Sequence, residues 1–390
     1  LPLTSLVEEY KVGKARLVMT LRDSKDEKIR KAGIEVLTGR RWSATKAVEQ
    51  AESSLKLKDI VGTVAVGKQG LGSTKRQGWN KSGVAERQKL VQDEIRNKEE
   101  ESRRAKSVQM GQQGAWTRWD TIERRLTWHE IWQYQPLQLQ FLLKAVYDVL
   151  PTPTNLHRWG IAENNKCPLC GETGSLNHIL TSCKIALQQG RYRWRHDQVL
   201  RVIADTIETE RKAKKPVRKT ASTGIQFIRA GEQPERTGHG MDRDGGLLSS
   251  GGDWQMRADL RRRLLFPVVQ TTLRPDIVLW TEVRKYLVVI ELTVPWEERC
   301  ELAHQSKAAK YEELLMQCQE KGWKTLNLPV EVGCRGFPAS SLGYMFSRLG
   351  ITGKKRKQAV VRAGKAAERA SSWLWLRRQD SSWKPTADEQ

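Results

Sequence analysis

Residues 271–298, TTLRPDIVLWTEVRKYLVVIELTVPWEE, constrain the fold more than any other stretch of the chain. Ile277–Trp280 and Tyr286–Leu292 are rich in β-branched, aromatic and other apolar side chains, and the short polar stretch Thr281–Lys285 separates them. That pattern predicts a β-hairpin. With the turn centred between Val283 and Arg284, Asp276 lies directly opposite Glu291. Directly opposed residues share a face, with Cβ atoms roughly 4.5–5.5 Å apart. Two carboxylates that close repel each other unless a cation lies between them, and hard oxygen donors of this kind suit Mg²⁺ or Mn²⁺. A slip of one residue would send the two to opposite faces. Glu291 also interrupts the apolar run LVVIELTVP, where a carboxylate is costly unless it is paired or metal-bound. A plainer reading has Asp276 start a strand after Pro275 and Glu291 pair with Arg274 or Lys285. Downstream, 297–322 reads as a helix ended by Gly322. Lys307 and Lys310 are spaced to share one face of it. They serve either as surface charges or as cations that orient a water and stabilise charge on a phosphoryl group.

The second constraint is KCPLCGETGSLNHILTSCK at 166–184, which sets Cys167, Cys170, His178 and Cys183 at C-x2-C-x7-H-x4-C. Paired cysteines across a tight turn, with Gly171 after them, offer two thiolates to one ion. His178 and Cys183 stand just over a helical turn apart, so both can face that point. Three thiolates and an imidazole suit tetrahedral Zn²⁺ in a closed structural site with no position left for a reacting water. So small a module buries little core, so the metal is expected to hold its fold. The chain has six cysteines. Cys300, Cys318 and Cys334 are scattered and read as small apolar packing residues. Half the set at ligand spacing, with no secretory leader pattern, argues for metal and a reducing compartment rather than disulfides. Arg191, Arg193, Trp194, Arg195 and His196 follow the knuckle, and basic residues interleaved with an aromatic one suit phosphate contact and base stacking.

Charge names the class of partner. Lys and Arg number 68 against 45 Asp and Glu, a formal net charge of +23. A field of that size suits nucleic acid first and an anionic membrane surface second. No apolar run approaches the ~18 residues of a membrane span, so no membrane-embedded role is expected. The chain does not begin with Met and is expected to be part of a longer reading frame. Hydrophobic residues make up 38% of the chain, which is lean for one large globule and points to modest domains separated by solvated stretches.

The expected class is α+β, in five parts. Residues 1–115 form a polar helical and linker region, with a Gly-rich loop at 61–81 and a very polar helix at 82–110 whose opposite charges lie three and four apart. Residues 116–200 hold a helical segment and the knuckle (167–183). There, Thr127 and Glu130 form a capping box. Ile131, Trp132, Leu137, Phe141, Leu142, Ala145, Val146 and Leu150 make an apolar helical face that Pro136 breaks or bends, and PTPTN at 151–155 stops the helix. Residues 201–253, containing KAKKPVRK, read as a basic, flexible linker. The apolar pattern returns over 254–340, and 341–390 form a basic helical tail whose GKKRK (353–357) is a nuclear signal, a phosphate contact or a plain solvated face.

RPD at 274–276, Glu291 in ELTVPWEE and KAAKY at 307–311 resemble the restriction-like endonuclease of site-specific non-LTR retrotransposons. The knuckle ahead of them is similar to that of the same family. LPVEVGCRGF (328–337), SLGYMFSRLGITG (341–353) and AAERASSWLWL (366–376) extend the likeness over most of the chain. The resemblance implies a PD-(D/E)xK-type α/β core that nicks chromosomal DNA, the freed 3′ end priming reverse transcription of the element's RNA. It implies Asp276 and Glu291 as ligands of Mg²⁺ or Mn²⁺ and Lys310, with Lys307 as its rival, as the catalytic lysine. Arg274 would sit near the scissile phosphate. Thr293 stands where ordinary members of the fold carry lysine, two residues after the acid. No Tyr-x-Asp-Asp motif occurs in the chain, so the polymerase is expected upstream in the full-length protein or lost. Target DNA and element RNA are the implied partners, and the nucleus, with the cytoplasm while bound to element RNA, is the implied location. Two other readings stay open: a catalytically inactive, zinc-dependent RNA- or DNA-binding remnant, and a basic scaffold that binds other proteins.

Overall fold

The computed structural model describes residues 5–61, 78–124, 126–213, 246–250, 253–260, 264 and 266–383. Most of the expected Gly-rich loop and most of the expected basic linker lie outside these residues. Described residues within 1–117 and 125–133 form one compact unit, and those within 118–124 and 134–390 a second.

The first unit is helical. Helices α1 (Leu6–Arg22), α3 (Ala44–Val61) and α4 (Val84–Val108) pack on one another, with a short α2 (Glu27–Lys31) between the first two. Val12, Ala15 and Met19 recur at helical spacing and meet Val48, Ala51, Val91, Ile95 and Trp79 in a small core. Ion pairs stitch the rims of the helices, such as Lys11 to Glu99 and Lys58 to Glu94, each at 2.6 Å. The polar helix expected at 82–110 is therefore α4, whose few apolar residues suffice for a three-helix seam. The capping box starts α5 (Trp128–Gln133): the Thr127 N–H donates to Glu130 and the Glu130 N–H to the Thr127 hydroxyl, each at 3.2 Å.

The second unit is mixed helix and sheet. Helices α6 (Pro136–Val146), α7 (Pro153–Arg158), α8 (Lys184–Gln188) and α9 (Arg191–Ala213) precede β1 (Gln255–Ala258), β2 (Ile277–Thr281) and β3 (Tyr286–Thr293). Then come α10 (Cys300–Lys310), α11 (Glu312–Glu320), β4 (Lys324–Glu331), α12 (Ser340–Leu349) and α13 (Gly353–Leu376). α6 already ends at Val146, ahead of PTPTN, which instead begins the next helix: Pro153 opens α7, and the Thr152 hydroxyl caps it by accepting from the Asn155 N–H at 3.1 Å.

The sheet runs β1-β2-β3-β4. β2 pairs antiparallel with β1 and β3, and β4 runs parallel to β3 after the α10–α11 crossover. Ile277 faces Ile290 and Thr281 faces Tyr286, so the hairpin turns between Val283 and Arg284 as its pattern predicts. The sheet is buried on both faces. Ile277, Leu279, Val288, Ile290 and Leu292 pack on α9, α12 and α13. Val278, Trp280, Leu287 and Val289 pack on Tyr311, Leu314, Leu315 and Cys318 at the α10–α11 side.

Two segments differ from their sequence reading. The linker expected to begin at 201 begins instead as helix: Ile203, Ala204 and Ile207 of α9 are core residues. The expected basic tail is also structural, since Ala359, Ala363 and Ala367 of α13 lie in the same core against α9. Small alanines allow the two helices a close approach, while lysines and arginines occupy the outer side. No described helix is long and apolar enough to cross a membrane.

Candidate functional site

The knuckle folds as its spacing predicts. The Gly171 N–H donates to the Cys167 carbonyl at 2.9 Å, and Gly171 turns the chain with φ +75°. The segment His178–Ser182 is a single π-helical turn between its last two ligands, a wide turn that recurs at functional sites. The ligand atoms of Cys167, Cys170, His178 and Cys183 lie within 4.8 Å of one another. A tetrahedral zinc with bonds of about 2.3 Å separates its sulfurs by about 3.8 Å, so the cluster fits that ion. Burial lowers the His178 pKa, favouring the neutral imidazole that binds metal. Burial also pushes the Cys183 thiol up to about 11, with Cys170 and Cys167 adding to it. Grouped thiolates at this position call for a cation to balance them.

Asp276 and Glu291 lie on the α10–α11 face of the sheet, at one end of the hairpin. Both are buried. The Asp276 N–H donates to Glu291 Oε2 at 3.3 Å, and the Leu292 N–H donates to Asp276 Oδ2 at 2.8 Å. Lys307 and Lys310 of α10 reach Glu291 Oε1 at 2.6 and 3.1 Å. The helix expected to run unbroken from 297 to 322 is interrupted at Tyr311, where the backbone takes φ −104° and ψ 2°. That break brings the Tyr311 hydroxyl to 2.7 Å from Glu291 Oε2 and 2.9 Å from the Arg274 carbonyl. The plainer pairing of Glu291 with Arg274 or Lys285 is thus replaced by two lysines from the crossover helix.

His196, grouped by its sequence with the residues for phosphate or base contact, is instead bound to two carboxylates. Its Nε2 is 3.1 Å from Asp276 Oδ2 and its Nδ1 is 2.9 Å from Asp197. Burial disfavours its charge, but hydrogen bonds and charge from Asp197 and Asp276 outweigh this and raise its pKa to about 9. Asp259 supports the same corner: its N–H donates to the Asp276 carbonyl at 2.8 Å. A cleft of about 500 Å³ opens here, lined by Arg193, Arg274, Asp276, Glu291, Lys307 and Lys310 among others.

The basic run after the knuckle divides. Arg193 and Arg274 are exposed at the cleft, although Arg193 also bonds Asp197 at 2.9 Å and the Asp259 carbonyl at 3.0 Å. Arg191 and Arg195 are only 2% exposed, which corrects their reading as phosphate contacts. Arg191 donates to the carbonyls of Arg377 and Asp380. Arg195 donates to the Leu180 carbonyl at 2.8 Å, the Ser371 hydroxyl at 3.1 Å and the Val294 carbonyl at 3.1 Å. Trp194 is half-buried and meets Trp383 edge-on at 5.4 Å, so its ring is a packing element rather than an open stacking platform. Charge and aromatic content alone do not separate buried arginines from exposed ones. The apolar i, i+3 and i+4 periodicity of α9 marks its inner face and was the available signal.

Residues 114–189 match the family described as zinc-binding in reverse transcriptase. No curated protein matches the chain. The matched segment contains all four clustered ligands. Together they support a retrotransposon-derived protein with a zinc region of the nucleic-acid-binding kind.

Proposed function

We propose that the second unit is a metal-dependent DNA endonuclease of a non-LTR retrotransposon, nicking target DNA so that the freed 3′ end primes copying of the element's RNA. One observation carries the reading. Two buried carboxylates, Asp276 and Glu291, converge on one face of the hairpin and open into a cleft that also holds Lys307, Lys310, Arg193 and Arg274. Buried acids among cations at a cleft are the arrangement expected where phosphate is bound and cut.

The donor set is hard oxygen, which fits Mg²⁺ or Mn²⁺ rather than a soft metal. Bound between Asp276 and Glu291, such an ion would supply Lewis-acid stabilisation of the phosphoryl oxygens and an acidified water. The protein's own part is positional. Arg274 and Arg193 offer cations to the DNA backbone at the cleft mouth. Lys307 and Lys310, held against Glu291, stand ready to turn toward a non-bridging phosphoryl oxygen and stabilise the charge that builds there. Tyr311 and the Leu292 N–H fix the two carboxylates, so little reorganisation is needed when substrate arrives. Water adds to phosphorus, the bond to the 3′ oxygen breaks, and that oxygen leaves with a proton as the primer hydroxyl.

The test is nicking of supercoiled plasmid by the zinc-loaded chain with Mg²⁺, Mn²⁺ or EDTA, beside Asp276→Ala. Cutting is expected to need added metal and to fall at least a hundredfold in the variant, with DNA binding nearly unchanged. Asp276→Ala that cuts at the parental rate would displace the site. No cutting by the parent, with salt-sensitive binding intact, would leave a zinc-dependent nucleic-acid binder.

A further inference from the structure

The residues that follow the knuckle form a bracket with two ends. On one side, Tyr192 and Arg195 grip the zinc module. The Tyr192 hydroxyl accepts from the Cys183 N–H at 3.0 Å and lies 2.9 Å from the Ile179 carbonyl and 3.2 Å from that of His178. Arg195 donates to Leu180. Every one of these backbone groups belongs to the π-turn between two zinc ligands or to a ligand itself. On the other side, the same Arg195 holds the Val294 carbonyl, directly after β3, the strand that carries Glu291. The neighbouring His196 holds Asp276. Ile179 and Leu180 also pack with Val294, Trp296 and Trp375 in one cluster. Wide-turn carbonyls lack their ordinary helical partners, and a buried guanidinium needs acceptors. The two terminal nitrogens of Arg195 therefore meet carbonyls on both sides, and only its Nε is left without a hydrogen-bond partner.

We infer that the zinc knuckle is a strut of the acidic cleft, and that Arg195 is the positioning residue through which metal binding in the knuckle fixes the end of β3. The structural coupling stands on these contacts alone, while its consequence for cutting rests on the nuclease reading above. Zinc sets the positions of His178 and Cys183 and hence of the π-turn. The turn sets Arg195 by its Leu180 carbonyl. Arg195 sets Val294, and Val294 sets the strand end on which Glu291 must meet Asp276. Binding free energies couple reciprocally, so a change that loosens Arg195 must also loosen zinc.

Hydrogen exchange on the full chain, zinc-loaded and after chelation, reads the coupling without any assay of activity. Stripping zinc is expected to speed exchange at least tenfold in peptides covering 166–189 and in those covering 288–296. Exchange in α1, α3 and α4, which have their own core, is expected to stay as it was. Fast exchange confined to 166–189 overturns the inference. Because chelation can unfold more than the knuckle, Arg195→Lys at saturating zinc is the second arm. It keeps the charge but cannot reach three acceptors with one planar fork. Zinc retention against a competing chelator is expected to weaken about tenfold. If the parent nicks plasmid, kcat is expected to fall about tenfold with KM for DNA within twofold. Parental zinc retention and parental exchange at 288–296 in Arg195→Lys overturn the inference. Coupled exchange in a chain that cuts nothing would sink the nuclease reading and leave the strut standing.

Discussion

At the scale of single residues, buried charges in the second unit are tied down by several partners at once. Glu291 has two lysines and a tyrosine, and Asp276 has a histidine and a backbone N–H. The most enclosed case is away from the cleft. Arg335 lies between the rings of Trp119 and Trp296, 3.9 and 3.6 Å from their centroids, and its Nε donates to Glu297 at 2.6 Å. Glu297 is buried too; burial raises its pKa, and Arg335 works against that shift. Removing one partner of such a pair strands the other charge at a cost of roughly 3–5 kcal/mol. Arg335→Met is therefore expected to lower stability by about that amount in denaturant unfolding followed by Trp fluorescence. Adding Glu297→Gln should recover part of the loss, because the amide still accepts from the Arg335 N–H, which now binds Glu297 Oε1 at 2.7 Å. A double variant no more stable than the single one would mean that lost aromatic packing, not the stranded carboxylate, is the cost.

At the scale of elements, what was legible in the sequence was local. The hairpin register follows from two apolar runs and the short polar turn between them, and Asp276 opposite Glu291 follows from the register. The knuckle follows from ligand spacing, and the capping box from Thr127 and Glu130. The partners of these elements were not legible, because they are set by contacts distant in sequence. Nothing near His196 announces Asp276, and Arg195 resembles any cation in a basic run. The tail was expected to be helical, and α13 is; its place in the core was hidden for a different reason. Its buried stripe of Ala359, Ala363, Ala367 and Ala370 is weakly apolar, and the lysines and arginines around it dominate its composition. A stripe of small residues buries little area per residue but brings backbones together. Gly364 shows how close they come, since a Cβ there would lie 2.7 Å from the Gly336 carbonyl oxygen. In a free helix Gly→Ala stabilises by about 1 kcal/mol. Here the clash is with backbone, which yields little, and overpacking of this kind costs about 1–3 kcal/mol. Gly364→Ala is accordingly expected to lower the melting temperature of the zinc-loaded chain. A rise instead would show that the Gly333–Phe337 turn moves aside easily.

At the scale of the molecule, the formal charge of +23 suits a polyanionic partner without locating a surface for it. Among its described residues, the second unit carries two basic regions that differ in place. One is the cleft mouth, with exposed Arg274 and Arg299. The other is the start of α13, where Lys354 and Lys357 are exposed and Lys355 pairs with Glu210 at 2.7 Å. Glu210 lies near the C-terminal end of α9, and His196 near its beginning. At 1.5 Å per residue the two regions are separated by roughly 20 Å along that helix. Each phosphate contact contributes close to one unit to the slope of log K against log salt for duplex DNA. Arg274→Gln and Arg299→Gln are each expected to reduce that slope by about 1. Lys354→Gln with Lys357→Gln is expected to leave it unchanged. Binding isotherms to one duplex at four or more salt concentrations decide the matter. The reverse pattern would put the DNA on the far end of α9, too distant for Asp276 and Glu291 to reach the same phosphate, and would detach binding from the cleft altogether.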